Sequence, residues 1–117
     1  MEEVGRELSE RERELVTALL VRSGASTSLI ATLNQARVLD LQDGGMGSIR
    51  FVHSADSRRD TAIAEAHFTD EDGVPVSIEL NATADGRLFE LDFWKVDFSP
   101  LRHYPQPEDL RELPQRS

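Results

Sequence analysis

The residues from Val74 to Thr83 alternate with a period of two. Val74, Val76, Ile78, Leu80 and Ala82 fall on one side, and Ser77, Glu79, Asn81 and Thr83 fall on the other. Successive side chains of an extended strand point to opposite faces, so this pattern fits a strand with one dry face and one wet face. Asp72-Gly73 precedes the run and Asp85-Gly86 follows it. An Asp-Gly pair between alternating segments is a hairpin signal, because glycine accepts the positive φ that a tight turn needs. The chain must therefore reverse at both ends. Thr61 to Thr69 reads as the strand before, and Arg87 to Phe98 as the strand after. In that last strand Phe89, Leu91 and Phe93 are expected on one face, with Leu88, Glu90, Asp92 and Trp94 on the other.

Upstream the period changes. Ser9-Glu10-Arg11-Glu12 has the form of a capping box, in which Ser9 and Glu12 satisfy each other's backbone N–H groups. Leu15, Val16, Leu19 and Leu20 follow at helical spacing, and Gly24 is a natural stop. Ser26, Thr27 or Ser28 can cap a shorter second helix whose apolar face is Leu29, Ile30 and Leu33, with Asn34 near its end. Val38, Leu39 and Leu41 begin a strand, Asp43 to Gly47 forms a glycine-rich turn, and Ile49, Phe51 and His53 return. Ser54 to Asp60 reads as a polar surface loop. The expected fold is α+β: two N-terminal helices packed on one face of an antiparallel meander of about four strands. The 117 residues make one domain, with a core from about 8 to 101. A proline-containing, irregular tail follows over 102–117, with one helical turn at Glu108–Leu113 and with Leu101 and Tyr104 pinning its start.

Charge narrows the function. The formal net charge is −9. Gripping a phosphate backbone needs clustered Lys and Arg, so nucleic acid is not an expected partner, and anionic membrane surfaces are disfavoured for the same reason. The imbalance is local: between Thr61 and Pro100 there are nine acids and two bases, Arg87 and Lys95. A cationic partner would be steered to such a region. The chain has no cysteine, which excludes disulfides and Cys-based zinc sites and suits a reducing compartment. Met1 to Arg13 is too charged for a secretory signal, and no apolar run reaches the roughly 18 residues of a membrane span. A cytoplasmic location is the expectation.

Three motifs carry chemistry or its appearance. Asp43-Gly44-Gly45-Met46-Gly47-Ser48 is glycine-rich but lacks a phosphate-loop lysine and sits between strands, so it reads as a turn or bulge. Asp70-Glu71-Asp72-Gly73 opens like a calcium loop, but the register then fails on Val74, Val76 and Ile78, so no metal is expected. The last strand sets Trp94 beside Glu90 and Asp92 on one face, with Glu79 and Asp97 nearby in sequence or pairing. A tryptophan among carboxylates suits recognition of a basic surface. The candidate interface is Glu90, Asp92, Trp94, Asp97 and Glu79. His53, His67 and His103 have no nucleophile or metal context and read as structural or surface residues. No catalytic residue and no cofactor is assigned.

The Asp43–Ser48 turn, the Asp70–Val76 hairpin (D-x-D-G-V-P-V) and the Phe89–Leu101 strand (F-E-L-D-x-W-K-x-D-F-x-P-L) together resemble a family of small bacterial proteins of unknown function. The likeness spans roughly Leu8 to Leu101. The small, acidic, stand-alone style is similar to that of immunity proteins. The resemblance implies domain limits rather than an activity. The leading expectation is a protein-binding module, of immunity type, that neutralises a basic toxin domain. A second reading is an enzyme or small-ligand binder using Glu90, Asp92 and His67 in a cleft between sheet and helices. A third is a homodimer paired through sheet faces or edges.

Overall fold

A computed structural model describes residues 5–52 and 61–112. The elements in chain order are β1 (Arg6–Glu7), α1 (Glu10–Arg22), α2 (Thr27–Ala31), a 3-10 turn (Thr32–Asn34), β2 (Arg37–Asp40), β3 (Ile49–Phe51), β4 (Thr61–Thr69), β5 (Pro75–Ala82) and β6 (Leu88–Lys95). A second 3-10 turn (Pro107–Asp109) and β7 (Arg111–Glu112) complete them. The strands form one seven-stranded sheet in the order β1-β2-β3-β6-β5-β4-β7, and neighbours pair antiparallel.

This corrects the expected four-stranded meander with two helices laid on it. Strands β1 and β7 have only two residues each, too few to leave a period-two trace. β3 pairs with β6 instead of β4, a non-consecutive neighbour that alternation cannot reveal. α2 is a five-residue helix with no fully buried residue, so α1 supplies most of the helical layer, and α2 with its 3-10 turn adds Leu29, Ile30 and Leu33 at its margin. Part of the expected irregular tail joins the sheet edge as β7, and the helical turn lies earlier, at Pro107–Asp109. The expected Ser54–Asp60 loop and His53 fall outside the described residues.

α1 forms as its sequence dictates. Ser9 Oγ accepts from the Glu12 N–H at 3.2 Å, and the Glu12 carboxylate accepts from the Ser9 N–H at 2.8 Å. Such a cap contributes about 1 kcal/mol. Gly24 follows the C-cap with a φ of 76°. The stripe Leu15, Val16, Leu19 and Leu20 is buried against the sheet, where it meets Ala66, Phe68, Val76, Ile78, Leu80, Leu91 and Phe93 in one core. Glu12 is buried as well, at 6% exposure. It survives there because Arg6 reaches both of its oxygens at 2.8 Å and also grips Asp40 at 2.7 and 3.1 Å. Burial works to raise the Glu12 carboxyl pKa, but the Arg6 and Ser9 hydrogen bonds outweigh it and hold the group below its ordinary value. One guanidinium thereby ties β1, α1 and β2 together.

Candidate binding face

β6 decides which side chains face solvent. Leu88 pairs with Ala82 and Glu90 with Asn81, so Phe89 stands out of register as a bulge. The bulge puts Leu88 into the core beside Leu91 and Phe93. Phe89 emerges near the exposed Arg50, whose guanidinium lies 5.3 Å from the ring centroid. Strict alternation puts Phe89 inside and Leu88 outside; the extra residue exchanges them.

Beyond the bulge the alternation is regular. Glu90 stands opposite Asn81, Asp92 opposite Glu79 and Trp94 opposite Ser77. One strand further, Glu65 stands opposite Glu79 and His67 opposite Ser77. Because Leu91, Phe93, Ile78 and Leu80 point into the core with α1, these residues occupy the opposite face. The face thus carries a cross-strand row Asp92, Glu79, Glu65, with Glu90 beside it. Like charges set directly opposite on a sheet work against stability. His67 shares this face, so the acid and histidine set lies on the side away from α1 and not in a cleft between sheet and helices.

The end of β6 exposes apolar surface. Trp94 is 52% exposed, Val96 49% and Phe98 66%. The Trp94 and Phe98 rings lie 6.3 Å apart at 41°. Phe98 is the sole non-glycine at positive φ among the described residues, at 61°. The left-handed region costs an ordinary side chain roughly 1–2 kcal/mol, and Phe98 is too exposed to recover that by core packing. Its N–H donates to the Lys95 carbonyl at 2.9 Å, which closes the turn. Asp97 lies in that turn. Its carboxylate accepts from the Ser99 hydroxyl at 2.7 Å and the Ser99 N–H at 3.0 Å, and these bonds hold it below its ordinary pKa. Of the five residues singled out from sequence, Glu79, Glu90, Asp92 and Trp94 share the face, and Asp97 shapes the turn beside it.

Directly behind Trp94 the geometry is closed. Lys95 has no solvent exposure. Its Nζ donates to Asp70 at 2.9 Å, to Asp72 at 2.6 Å and to the Pro100 carbonyl at 3.1 Å. Asp70 is equally occupied, accepting from the backbone N–H groups of Glu71, Arg102 and His103 at 2.8 to 2.9 Å. Burial opposes ionisation of Asp70, but the Lys95 ammonium and those N–H groups hold its pKa down to about 2. For Lys95, burial pushes down while the two carboxylates push up, and the carboxylates prevail. The acidic turn is therefore the seat of an ammonium.

The glycine-rich turn completes this clamp. Asp43 accepts from the N–H groups of Met46 and Ser48 at 3.1 and 3.0 Å. Ser48 Oγ accepts from the Phe93 N–H at 2.9 Å, and Met46 Sδ from the Lys95 N–H at 3.3 Å. The Gly45 carbonyl accepts from Leu101 at 3.0 Å, and at φ 84° a Cβ on Gly45 would come within 3.3 Å of Pro100. The three sequence motifs therefore meet at one place. Neither Lys95 nor Phe98 was singled out from sequence. The available signal for Lys95 was its parity with Leu91 and Phe93, which put a lysine on the dry side of the strand. Phe98 carried no comparable signal, since a left-handed φ at a phenylalanine is not written in local composition.

The model of a family described as a domain of unknown function, DUF6984, matches residues 5–105. The chain belongs to this family. No curated protein and no solved structure matches it. The DUF6984 match covers α1, the clamp and the whole exposed face, and it ends before β7. Among the described residues, no helix is long and apolar enough to cross a membrane.

Proposed function

We propose that this DUF6984 protein is a bacterial, cytosolic protein-binding module that docks a basic partner domain on the sheet face bearing Glu65, Glu79, Glu90 and Asp92. The observation that carries the reading is the exposed Trp94–Phe98 pair at the margin of that acidic row. Aromatic anchors supply the buried contact of many interfaces, and surrounding charge steers the partner and sets its orientation. Phe98 holds an unfavourable backbone conformation while its ring stays in solvent, which a binding role accounts for and a packing role does not. Of the two bases between Thr61 and Pro100, Lys95 is sealed inside, so it adds no positive charge to the surface. The most concrete form of this role is an immunity-type protein that neutralises a basic toxin domain.

Trp94 is itself the reporter. Titration with a basic protein domain or an arginine-rich peptide should change its emission, with an affinity that falls steeply as salt rises. Trp94→Ser with Phe98→Ser should abolish binding without unfolding the protein, and Glu90→Lys with Asp92→Lys should reduce it strongly. Undiminished binding by the charge-reversed variant would exclude this face.

A further inference from the structure

The acidic face already holds one guanidinium of its own. Arg50 stands opposite Glu90 across β3 and β6. Its guanidinium lies 5.3 Å from the Phe89 ring centroid and comes within 3.9 Å of a Glu90 oxygen. A ring and the next carboxylate along β6 thus hold the cation between them. Such a pair suits arginine, whose flat, weakly hydrated guanidinium can lie on a ring while its N–H groups reach an oxygen.

The end of the same strand repeats these parts without the cation. Trp94 and Phe98 are both exposed, with ring centroids 6.3 Å apart and planes tilted by 41°. Asp97 is exposed beside Phe98, and among the described residues only its Oδ1 is bonded, to Ser99. Its second oxygen is left for a donor from outside. The neighbours of the rings are small. Ser77 stands opposite Trp94 on β5, and the glycine-rich turn approaches Phe98 at Gly44, which carries no side chain. Lys95, the base next to Trp94, is sealed inside on Asp70, Asp72 and the Pro100 carbonyl. Among the described residues, no guanidinium lies over Trp94 or Phe98.

We infer that Trp94, Phe98 and Asp97 form a socket for an arginine side chain of the basic partner. The guanidinium stacks on the indole, the Phe98 ring flanks it, and Asp97 accepts from its N–H groups. The inference rests on the docking face proposed above and adds the residue that the partner presents there. Tryptophan is the best of the aromatic rings for this contact. Lysine fits the socket less well, because its ammonium is compact and strongly hydrated and has no flat face to lay on a ring. The left-handed backbone at Phe98 has a use in this arrangement, since it turns the chain so that the second ring meets Trp94 in solvent.

The test uses the full chain at neutral pH and low salt, with dye-labelled hexaarginine and hexalysine as probes and anisotropy as the readout. The two peptides match in length and charge, so their difference isolates the guanidinium. Hexaarginine should bind about fivefold more tightly than hexalysine. Trp94→Leu should bring hexaarginine down to the hexalysine level, while Trp94→Phe keeps part of the preference. Asp97→Asn should weaken hexaarginine about threefold. Both positions are exposed, and circular dichroism melts verify that each variant is folded. Hexalysine is the internal control, since general damage to the face would weaken both peptides alike. Equal affinity for the two peptides, or a preference that survives Trp94→Leu, would overturn the socket and leave the acidic docking face standing. Failure of both peptides to bind would overturn the docking face and the socket together.

Discussion

Trp94 and Lys95 are consecutive residues of one strand, and their side chains have opposite surroundings. The lysine, the side chain usually found in water, is sealed inside with two carboxylates and a carbonyl on its ammonium. The tryptophan, which usually covers a core, is half in solvent beside another exposed aromatic. Strand geometry enforces the opposition, since adjacent residues must face opposite ways. The difference teaches where each residue's value lies. Every donor and acceptor around Lys95 is spent on joining the Asp70–Gly73 turn, the glycine loop and the segment after β6. Around Trp94 the rings stay outside: Trp94 and Phe98 meet each other in solvent, while Asp92 accepts from Ser48 Oγ at 3.3 Å and Glu90 lies 3.9 Å from Arg50.

The comparison breaks most readily on the closed side. Asp70→Ala leaves Lys95 buried with one carboxylate fewer and removes the acceptor for Arg102 and His103. Taking one partner from a buried pair is among the costliest substitutions, and the melting temperature should fall by more than about 10 °C. A smaller fall would mean that water reaches Lys95. Within the core, Leu91→Ala should destabilise by about 2–5 kcal/mol in denaturant titration, with no effect on binding beyond that.

Acid should open the same clamp. The Asp70 carboxyl titrates near 2 when folded and near the ordinary carboxylate value of about 3.9 when unfolded. Its folded value is the lower one, so its contribution is fully present above the ordinary value and is lost as pH falls through the folded one. Stability should therefore decline between about pH 4 and pH 2, and Asp70→Asn should flatten that decline. The Lys95 shift has the opposite sense: its folded value is raised, so its contribution persists below the ordinary lysine range and fades only as alkaline pH passes the folded value.

The smallest stability effects belong to the open side. Phe98→Gly relieves a left-handed phenylalanine and should leave the fold unchanged or stabilise it by about 1 kcal/mol, while weakening capture of a basic partner. A clear loss of stability would show that the Phe98 ring supports the fold.

The local elements were legible because their causes are local. The Ser9–Glu12 box, the Leu15 to Leu20 stripe and the Asp-Gly turns each rest on a few adjacent residues. Strand order was not, because the pairing of Ile49 with Leu91 is set by packing across distant segments. The one-residue bulge at Phe89 was equally hidden, since either Leu88 or Phe89 satisfies an apolar face. At the candidate face, Glu79, Glu90, Asp92 and Trp94 could be grouped from parity alone. The clamp was hidden because Asp70-Glu71-Asp72-Gly73 reads as a hairpin turn or a calcium loop whose register fails, and its partner Lys95 lies on another strand.

The most direct test is quenching of Trp94, the single tryptophan, by ions of opposite charge. If it lies exposed on an acidic face, its emission is red-shifted and accessible to acrylamide, and at low salt caesium quenches it more efficiently than iodide. A blue-shifted emission protected from all three quenchers, or a preference for iodide, would contradict an exposed acidic recognition face.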